Sequence, residues 1–566
     1  MDNPLKVALF VVVLFWSLRL YGQFSAGTGT QSDPYIVTTA TELDSVRFHL
    51  DSCFLQVADI DLGSVQYTSS IGWQPLASYS VFGAFTGSYD GNGHTIANLT
   101  INNEAAGYLS LFGEIDSATI KNVSLENIDI RAGGSSGGLV GYAVNSEIIN
   151  CFVVGTMRAS DNCGGIVGSA LFSTIQECSA TISILGRENV GCIAGIIYSS
   201  NIVRSHAVAS IAQARMALGG ICGNSSGDSE IGVSEIVDCT ASGSLYSTDN
   251  SGGIVGFARK TLIERCSSEF DIIWGSMRSG GILAESWYLV TIRDCHAVAS
   301  VEGQDAVGGI AGTISGQSNI TRSYFTGNVM GVRLVGGVAG GVSQSEIFDC
   351  FANATVSGSD IVGGFAGSAS YSYIYDCYST GLVTCTDGQI GGFISSGQNL
   401  STSNCYWDMD TSQTTVSYAG NGRNTSQMTF PYDNNTYLNW DFTQYWANDT
   451  GLTNGGYPIL IAPTVANQDE YITPAVTISL RAYPNPFIGS LNLAITGLKG
   501  RETQVNIYNI RGQLVKKQFI NSPMDGKTSF AWDGKDEFGK DTTAGVYIIK
   551  VQSGGESVVL RGIKIH

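Results

Sequence analysis

Ile292-Arg-Asp-Cys295, Ile347-Phe-Asp-Cys350 and Ile374-Tyr-Asp-Cys377 are copies of one phrase, and the interval between copies decides the fold. The last position of the phrase recurs as Val123, Cys151, Cys178, Ser205, Cys239, Cys266, Cys295, Ser323, Cys350, Cys377 and Cys405. The steps are 28, 27, 27, 34, 27, 29, 28, 27, 27 and 28 residues. Three residues earlier stands Ile in every copy from Ile120 to Ile374, with Thr402 in the last. The one long step, Ser205 to Cys239, holds the polar run 224–230, which has the composition of a surface excursion. A second phrase keeps the same beat: Gly137-Gly-Leu-Val-Gly141, Gly164-Gly-Ile-Val-Gly168, Gly252-Gly-Ile-Val-Gly256, Gly308-Gly-Ile-Ala-Gly312, Gly336-Gly-Val-Ala-Gly340 and Gly363-Gly-Phe-Ala-Gly367.

A fixed period of this size is the mark of stacked repeats. Paired Gly and β-branched residues in every unit oppose helix, and short Val/Ile runs between turn residues favour strand. The leucine ladder of a leucine-rich repeat is missing. The expected fold is all-β: a right-handed parallel β-helix of about eleven coils of 27–29 residues, then a small C-terminal immunoglobulin-like β-sandwich. Coils stack about 4.8 Å apart, so the rod is on the order of 50 Å long. Ile forms one inward column, and Cys151, Cys178, Cys239, Cys266, Cys295, Cys350, Cys377 and Cys405 form another. Gly pairs serve where a Cβ would clash. Parallel stacked thiols do not give the near-perpendicular torsion of a disulfide, and their spacing is not that of CxxC metal pairs, so they read as buried free thiols.

Composition bounds the partners. Net charge is −19 over 566 residues, with 14% charged residues, which argues against nucleic acid. Lys6 followed by the apolar run 7–16 and small or neutral residues to Gly22 has the pattern of a secretory signal peptide, with cleavage expected before Gln23. No other run is long and apolar enough to span a membrane. The divisions read as 1–22 signal peptide, 23–113 N-terminal β cap and first coils, 114–405 repeats, 406–462 C-terminal cap, 463–477 linker and 478–566 terminal domain. That last part has 12 Lys+Arg against 7 acids, a net +5 that leaves −24 for the remainder.

The opening module, with Phe85-Thr-Gly-Ser-Tyr-Asp-Gly-Asn-Gly-His-Thr-Ile96, the Gly-Gly phrases and the closing Cys405-Tyr-Trp-Asp-Met-Asp-Thr-Ser412 resemble the GLUG-motif repeat proteins of bacterial surfaces, over roughly residues 24–462. The resemblance implies a secreted, adhesin-like protein. Such repeats also accompany some immunoglobulin-cleaving metallopeptidases, but this chain has no His-Glu-x-x-His, and His49, His94, His206, His296 and His566 are scattered. Tyr483-Pro484-Asn485-Pro486-Phe487, Ile507-Tyr-Asn-Ile-Arg-Gly512-Gln-Leu-Val515, Trp532-Asp-Gly534 and Ala544-Gly545-Val-Tyr547-Ile548 resemble the C-terminal sorting domain of type IX secretion, related to the Ig-like module of a flagellar hook-capping protein. By that resemblance the tail engages the secretion machinery and leaves the chain on the outer cell surface.

Parallel β-helices also carry polysaccharide lyases and hydrolases, so the acids before the ladder position are candidate catalysts. In order they read Glu177, Arg204, Asp238, Arg265, Asp294, Arg322, Asp349, Asp376. An active site is needed once, whereas this column alternates sign in nearly every coil, which is the pattern of an outward electrostatic zipper. No catalytic constellation and no cofactor is expected. Calcium would have to use Asp408 with Asp410 or Asp59 with Asp61, and neither pair has the Gly and distal Glu of a calcium loop. His94 reads as a turn-flanking surface residue. The aromatics of the last coils, Tyr371, Tyr373, Tyr375, Tyr406 and Trp407, are the candidate ligand-facing group, suited to surface polysaccharide or a host or matrix protein. The reading is a secreted, surface-attached binding or structural rod. A carbohydrate-active enzyme on the same scaffold is the alternative.

The zipper predicts that Arg265→Glu lowers stability more than Arg265→Gln by about 0.5 kcal/mol. Denaturant midpoints of the two variants measure the difference, and equal midpoints would remove the column from any role in register.

Overall fold

The computed structural model describes residues 24–78, 83–228, 232–462, 479–483, 487–496, 502–509, 513–521, 527–553 and 556–565. The expected signal peptide and linker lie outside the described residues, as do Pro484, Asn485, Pro486 and Gly512. The chain divides into two compact units at residues 463 and 464.

Four strands make one coil. From Glu147–Ile149 the chain passes through Phe152–Ala159, Asp161–Gly164 and Val167–Leu171, and the next coil opens at Thr174–Gln176. Each strand pairs in parallel with its equivalents above and below, giving sheets of 14, 16, 10 and 11 strands. These are called here the isoleucine, long, glycine and alanine sheets. Ile148 pairs with Ile120 and Ile175, and the same register continues to Ile347 with Ile374. Every ladder Ile and Cys is buried, and all thirteen cysteines are free thiols. Burial pushes the thiols of Cys163, Cys192 and Cys222 up to about 12, so they stay protonated near neutral pH.

What turns the chain between sheets is a corner device that the repeat hides. The residue before each ladder position has a left-handed backbone: Glu177 (φ 55°), Arg204 (47°), Asp238 (57°), Arg265 (49°) and Asp294 (55°), through Asn404 (51°). The inward thiol then donates to the carbonyl two residues back, as Cys178 Sγ to Gln176 O (3.3 Å) and Cys350 Sγ to Phe348 O (3.2 Å). Ser205 and Ser323 make the same bond through Oγ, to Val203 O (3.1 Å) and Thr321 O (2.9 Å). These two Ser also accept the N–H of Cys178 and Cys295 from the coil before. Cys and Ser therefore interchange because the site needs a small donor, not sulfur chemistry.

The same device stands at the other end of the isoleucine strand. Asn145, Phe172 and Ser199 are left-handed, and Ser146, Ser173 and Ser200 donate to Val144 O (2.6 Å), Leu171 O (2.7 Å) and Tyr198 O (2.8 Å). A left-handed non-Gly residue costs roughly 1–2 kcal/mol, and a hydrogen bond returns about 1. The corner is thus close to neutral, leaving the buried Ile, each worth about 1.5–3 kcal/mol, to hold the coil closed.

Two glycines show what a Cβ would meet in a neighbouring coil, although Cys192 takes the second Gly place of the phrase in one coil. A Cβ on Gly281 would lie 2.0 Å from Gly309 O of the next coil, and Gly243, at φ 118°, would put one 1.9 Å from Ala209 O. The long step is the expected excursion: Asp228 and Gly232 pair with each other across it.

At the start, Tyr35–Val37, Cys53–Gln56 and Ser88–Asp90 already extend the isoleucine sheet. The helix Ala40–Ser45 precedes the second of these strands and places Leu43, with Val46 just beyond it, in the core. Thr39 caps it through Oγ1 (3.2 Å from Glu42 N), while Glu42 accepts from Thr38 N (2.7 Å) and Ser25 N (2.8 Å).

The second unit has seven antiparallel strands in sheets of three and four, Ser479–Tyr483, Leu491–Thr496 and Lys527–Trp532 against Leu514–Asn521, Glu502–Asn509, Gly545–Ser553 and Glu556–Lys564. This is the expected immunoglobulin-like sandwich.

Cys295→Ser is expected to keep cooperative unfolding at a cost of about 1 kcal/mol or less, since Ser323 already fills the equivalent place. Gly281→Ala is expected to cost about 3 kcal/mol through overpacking. Urea titration ranks them, and the reverse order would refute the corner account.

Candidate binding face

The charged column lies at the left-handed corners, and its members join in pairs. Arg204 meets Glu177 (2.8 Å), Arg265 grips Asp238 with two nitrogens (2.7 and 3.1 Å), and Arg322 grips Asp294 likewise (2.7 and 2.7 Å). Arg265 also reaches Glu264 (2.9 Å), which Arg293 holds from the next coil. The hydrogen bond from Arg204 lowers the Glu177 carboxyl below its ordinary value, and that with Asp238 raises the Arg265 guanidinium. Glu177 is thereby a poor proton donor.

The last two acids serve otherwise. Asp349 accepts from Trp446 Nε1 (2.9 Å) and Asp376 from Asn404 Nδ2 (3.0 Å). Burial raises both carboxyls above their ordinary value, for Asp349 despite the Trp446 bond.

The candidate aromatics separate into two sets. Tyr371 and Tyr373 are 51% and 56% exposed at the outer surface of the isoleucine sheet and its corner. Tyr375 is half-buried and stacks on Phe348 of the coil before, with ring centroids 5.1 Å apart and planes 3° off parallel. Tyr406 and Trp407 correct the expectation: both are buried. Trp407 closes the inner core above Gly392 and donates from Nε1 to Thr414 O (3.3 Å). Tyr406 lies under Tyr437 and Trp440 (5.3 and 6.2 Å), with the Arg423 guanidinium 5.4 Å from its ring centroid. Successive residues of a strand face opposite sides, so one ring fills the core and the other supports the cap.

Tyr406 ends a column of rings that sequence reading missed. The position just after the ladder residue becomes aromatic in the later coils, and His296, Tyr324, Phe351 and Tyr378 stack face to face at 5.1, 4.9 and 4.9 Å. The cap folds over this column, packing Met428, Tyr437, Trp440, Trp446 and Tyr457 on Phe351, Tyr378 and Tyr406.

Asp408 binds the cap to the last coil. It accepts from Asp410 N (2.8 Å), Thr411 N (3.1 Å), Thr425 Oγ1 (2.7 Å) and Tyr457 OH (2.5 Å). Asp410 accepts from Thr425 N (2.9 Å). Asp59 is engaged by His94 Nδ1 (3.2 Å) and Thr95 N (3.0 Å), and Asp61 by Asn98 Nδ2 (2.7 Å) and Gly63 N (2.8 Å). These acids thus anchor turns, and no group of three His, Cys, Asp or Glu stands at metal-binding distance among the described residues.

In the second unit, Phe487 and Tyr547 are core residues around Trp532, with centroids 5.4 and 4.9 Å from it. Tyr547 OH donates to Thr543 O (2.6 Å), just before the strand that Gly545 opens. Tyr483 ends the first strand of that unit.

The family model of the FlgD Ig-like domain matches residues 492–557. Halomucin of Haloquadratum walsbyi is 34% identical over 139 residues, which is 23% of this chain and 2% of that protein. A protein of Evansella cellulosilytica described as a Gly-rich membrane protein is 33% identical over 140 residues, 23% of this chain and 16% of its own length. The chain therefore spans a small fraction of the curated relatives it matches. Among solved structures, dimeric latent PorU of Porphyromonas gingivalis aligns with 19% of this chain and 10% of its own, at 19% identity and a TM-score of 0.15.

The raised carboxyls of Asp349 and Asp376 give the cap a pH dependence of definite sign. The docked cap binds protons that the unfolded chain releases. Docking is therefore strongest below the ordinary carboxyl value of 3.8 and weakens as pH rises through the raised folded values. Asp441, lowered by hydrogen bonds from Thr443 and Gln444, and Asp449, lowered by backbone hydrogen bonds that outweigh its burial, act in the opposite sense only as pH falls below that value. Amide exchange of residues 440–447, corrected for its intrinsic rate, is expected to slow as pH falls from neutral toward the ordinary carboxyl value of 3.8. Asp349→Asn, which keeps an acceptor for Trp446, should flatten that slope; an unchanged slope would clear Asp349 of the effect.

Proposed function

We propose that this chain is a secreted, surface-attached binding protein of adhesin-like type, exported and held at the cell surface through its Ig-like C-terminal unit. The observation that carries the reading is the group of Tyr371, Tyr373 and the stacked Tyr375–Phe348 pair, presented on a rigid sheet near the capped end of the rod. Large rings left in water on an otherwise regular face supply contact area with little loss of side-chain freedom on binding. The likeness of residues 492–557 to the FlgD Ig-like domain supports the delivery part, together with the sorting-domain resemblance of the same stretch. No helix among the described residues is long and apolar enough to cross a membrane, and attachment through the terminal domain is the proposed alternative.

Binding is favoured over hydrolysis because the corner acids are committed to arginines, to Asn404 or to the cap. The chain from Gln23, passed over immobilised bacterial, plant and host polysaccharides and matrix proteins, is expected to be retained by one class without releasing sugar products. Tyr371→Ala combined with Tyr373→Ala should weaken retention about tenfold with the melting temperature unchanged, since both rings are exposed. Released products would instead favour the carbohydrate-active enzyme, and absence of both retention and products would leave a spacer.

A further inference from the structure

The outer edge of the long sheet carries a second exposed feature, and its order along the rod is specific. Parallel pairing stacks Arg131, Arg158, Leu185, Gln213 and Tyr246 one coil above another. The same column continues through Trp274, Glu302, Met330, Ser357 and Thr384. Beside it, at the corner leading to the glycine sheet, stand Met216, Met277 and Val332. Leu185, Met216, Tyr246, Met277, Met330 and Val332 are 38–52% exposed. An apolar stripe rich in Tyr, Trp and Met and flanked by Arg has the composition of a protein interface.

Charge along the stripe is graded. Toward the N-terminal coils lie Arg131, Arg158 and, two residues after Gln213, Arg215, beside Asp161 and Glu188, which Arg187 holds; Asp249 stands at the midpoint, and toward the C-terminal coils lie Glu302, Asp305, Asp360 and Asp387, with Arg333 on Asp305. Among the described residues Arg158, Arg215, Asp360 and Asp387 make no ion pair. The two ends match about the midpoint between Tyr246 and Trp274. One coil out, Gln213 with Arg215 corresponds to Glu302 with Asp305. Two coils out, Leu185 corresponds to Met330. Three coils out, Arg158 corresponds to Ser357 with Asp360, and four coils out Arg131 corresponds to Thr384 with Asp387. In the second of these levels Arg187 and Arg333 would meet, but each is already held within its own chain, by Asp161 and Asp305.

We propose that this edge is the interface between two copies of the chain, lying antiparallel about a twofold axis at the level between Tyr246 and Trp274. A twofold contact requires one surface to complement itself, and this one does so in one direction only. Antiparallel, apolar coils meet apolar coils and three arginine levels meet acidic levels; parallel, Arg158 would face Arg158 and Asp360 would face Asp360. The inference is independent of whether the rod binds a glycan or matrix ligand.

Sedimentation equilibrium of the chain from Gln23 is expected to show a monomer–dimer equilibrium that weakens with salt. Trp274→Asp should abolish the dimer while unfolding of the chain stays cooperative. Arg158→Glu and Asp360→Arg should each weaken it roughly tenfold, because each makes two symmetry-related contacts repulsive, and the two together should restore it. A chain that stays monomeric at its highest soluble concentration, or a double variant no better than either single one, overturns the proposal.

Discussion

The hydrogen bond from an inward Ser or Cys to the carbonyl two residues behind it is the constraint on which the rod depends. Each coil must change direction between sheets without leaving a buried backbone group unpaired. A left-handed residue makes the turn, and the small donor that follows it occupies the carbonyl which that turn exposes. Its oxygen or sulfur also faces the neighbouring coil, so Ser205 takes the N–H of Cys178 and Cys295 Sγ that of Cys266 (3.4 Å). The corner thus couples one coil to the next as well as turning the chain. Where Val123, Ala118, Val290 or Leu400 stands instead, the coil lacks that bond.

Much of this was legible in the sequence, because a solenoid repeats its constraints. The Ile column, the Cys column, the clash behind each Gly pair and the excursion after Asn224 all follow from spacing alone. The corner conformation did not, since the residues that adopt it are Asp, Arg, Glu and Lys more often than Asn, and their charges suggest a different purpose. They do make ion pairs, but at positions the backbone has already fixed. The serine column was hidden by its commonness in the chain and by Ala118, Val290 and Leu400 standing in its place in three coils.

The cap lay beyond local reasoning for another reason. Trp446 and Asp349 are 97 residues apart, and Tyr378 and Pro458 are 80. Nothing within a repeat announces which coils a later segment will cover. Local reasoning therefore places Tyr406 and Trp407 among the exposed rings, although alternation along a strand requires one of them to face inward. The run of aromatic residues just after Cys295, Ser323, Cys350, Cys377 and Cys405 was the available sign that some outer positions would be covered.

Function in such a rod is confined to the positions the repeat leaves free. Inward sites are set by volume and corner sites by backbone, so outward columns alone vary without cost to the fold. Because strands are in register, a column of outward residues is a linear surface with one position per coil, and its order is read directly from the sequence once the register is known. Charge order on a column can then carry direction as well as attraction. A uniform column, such as one of alternating sign with pairs closed within the chain, has little left to offer a partner. The long-sheet edge differs because its charges sort toward opposite ends and several stay unpaired, with bulky apolar side chains between them. Self-complementarity of that kind is a property of the sequence of outward residues over ten coils, and no single coil contains it.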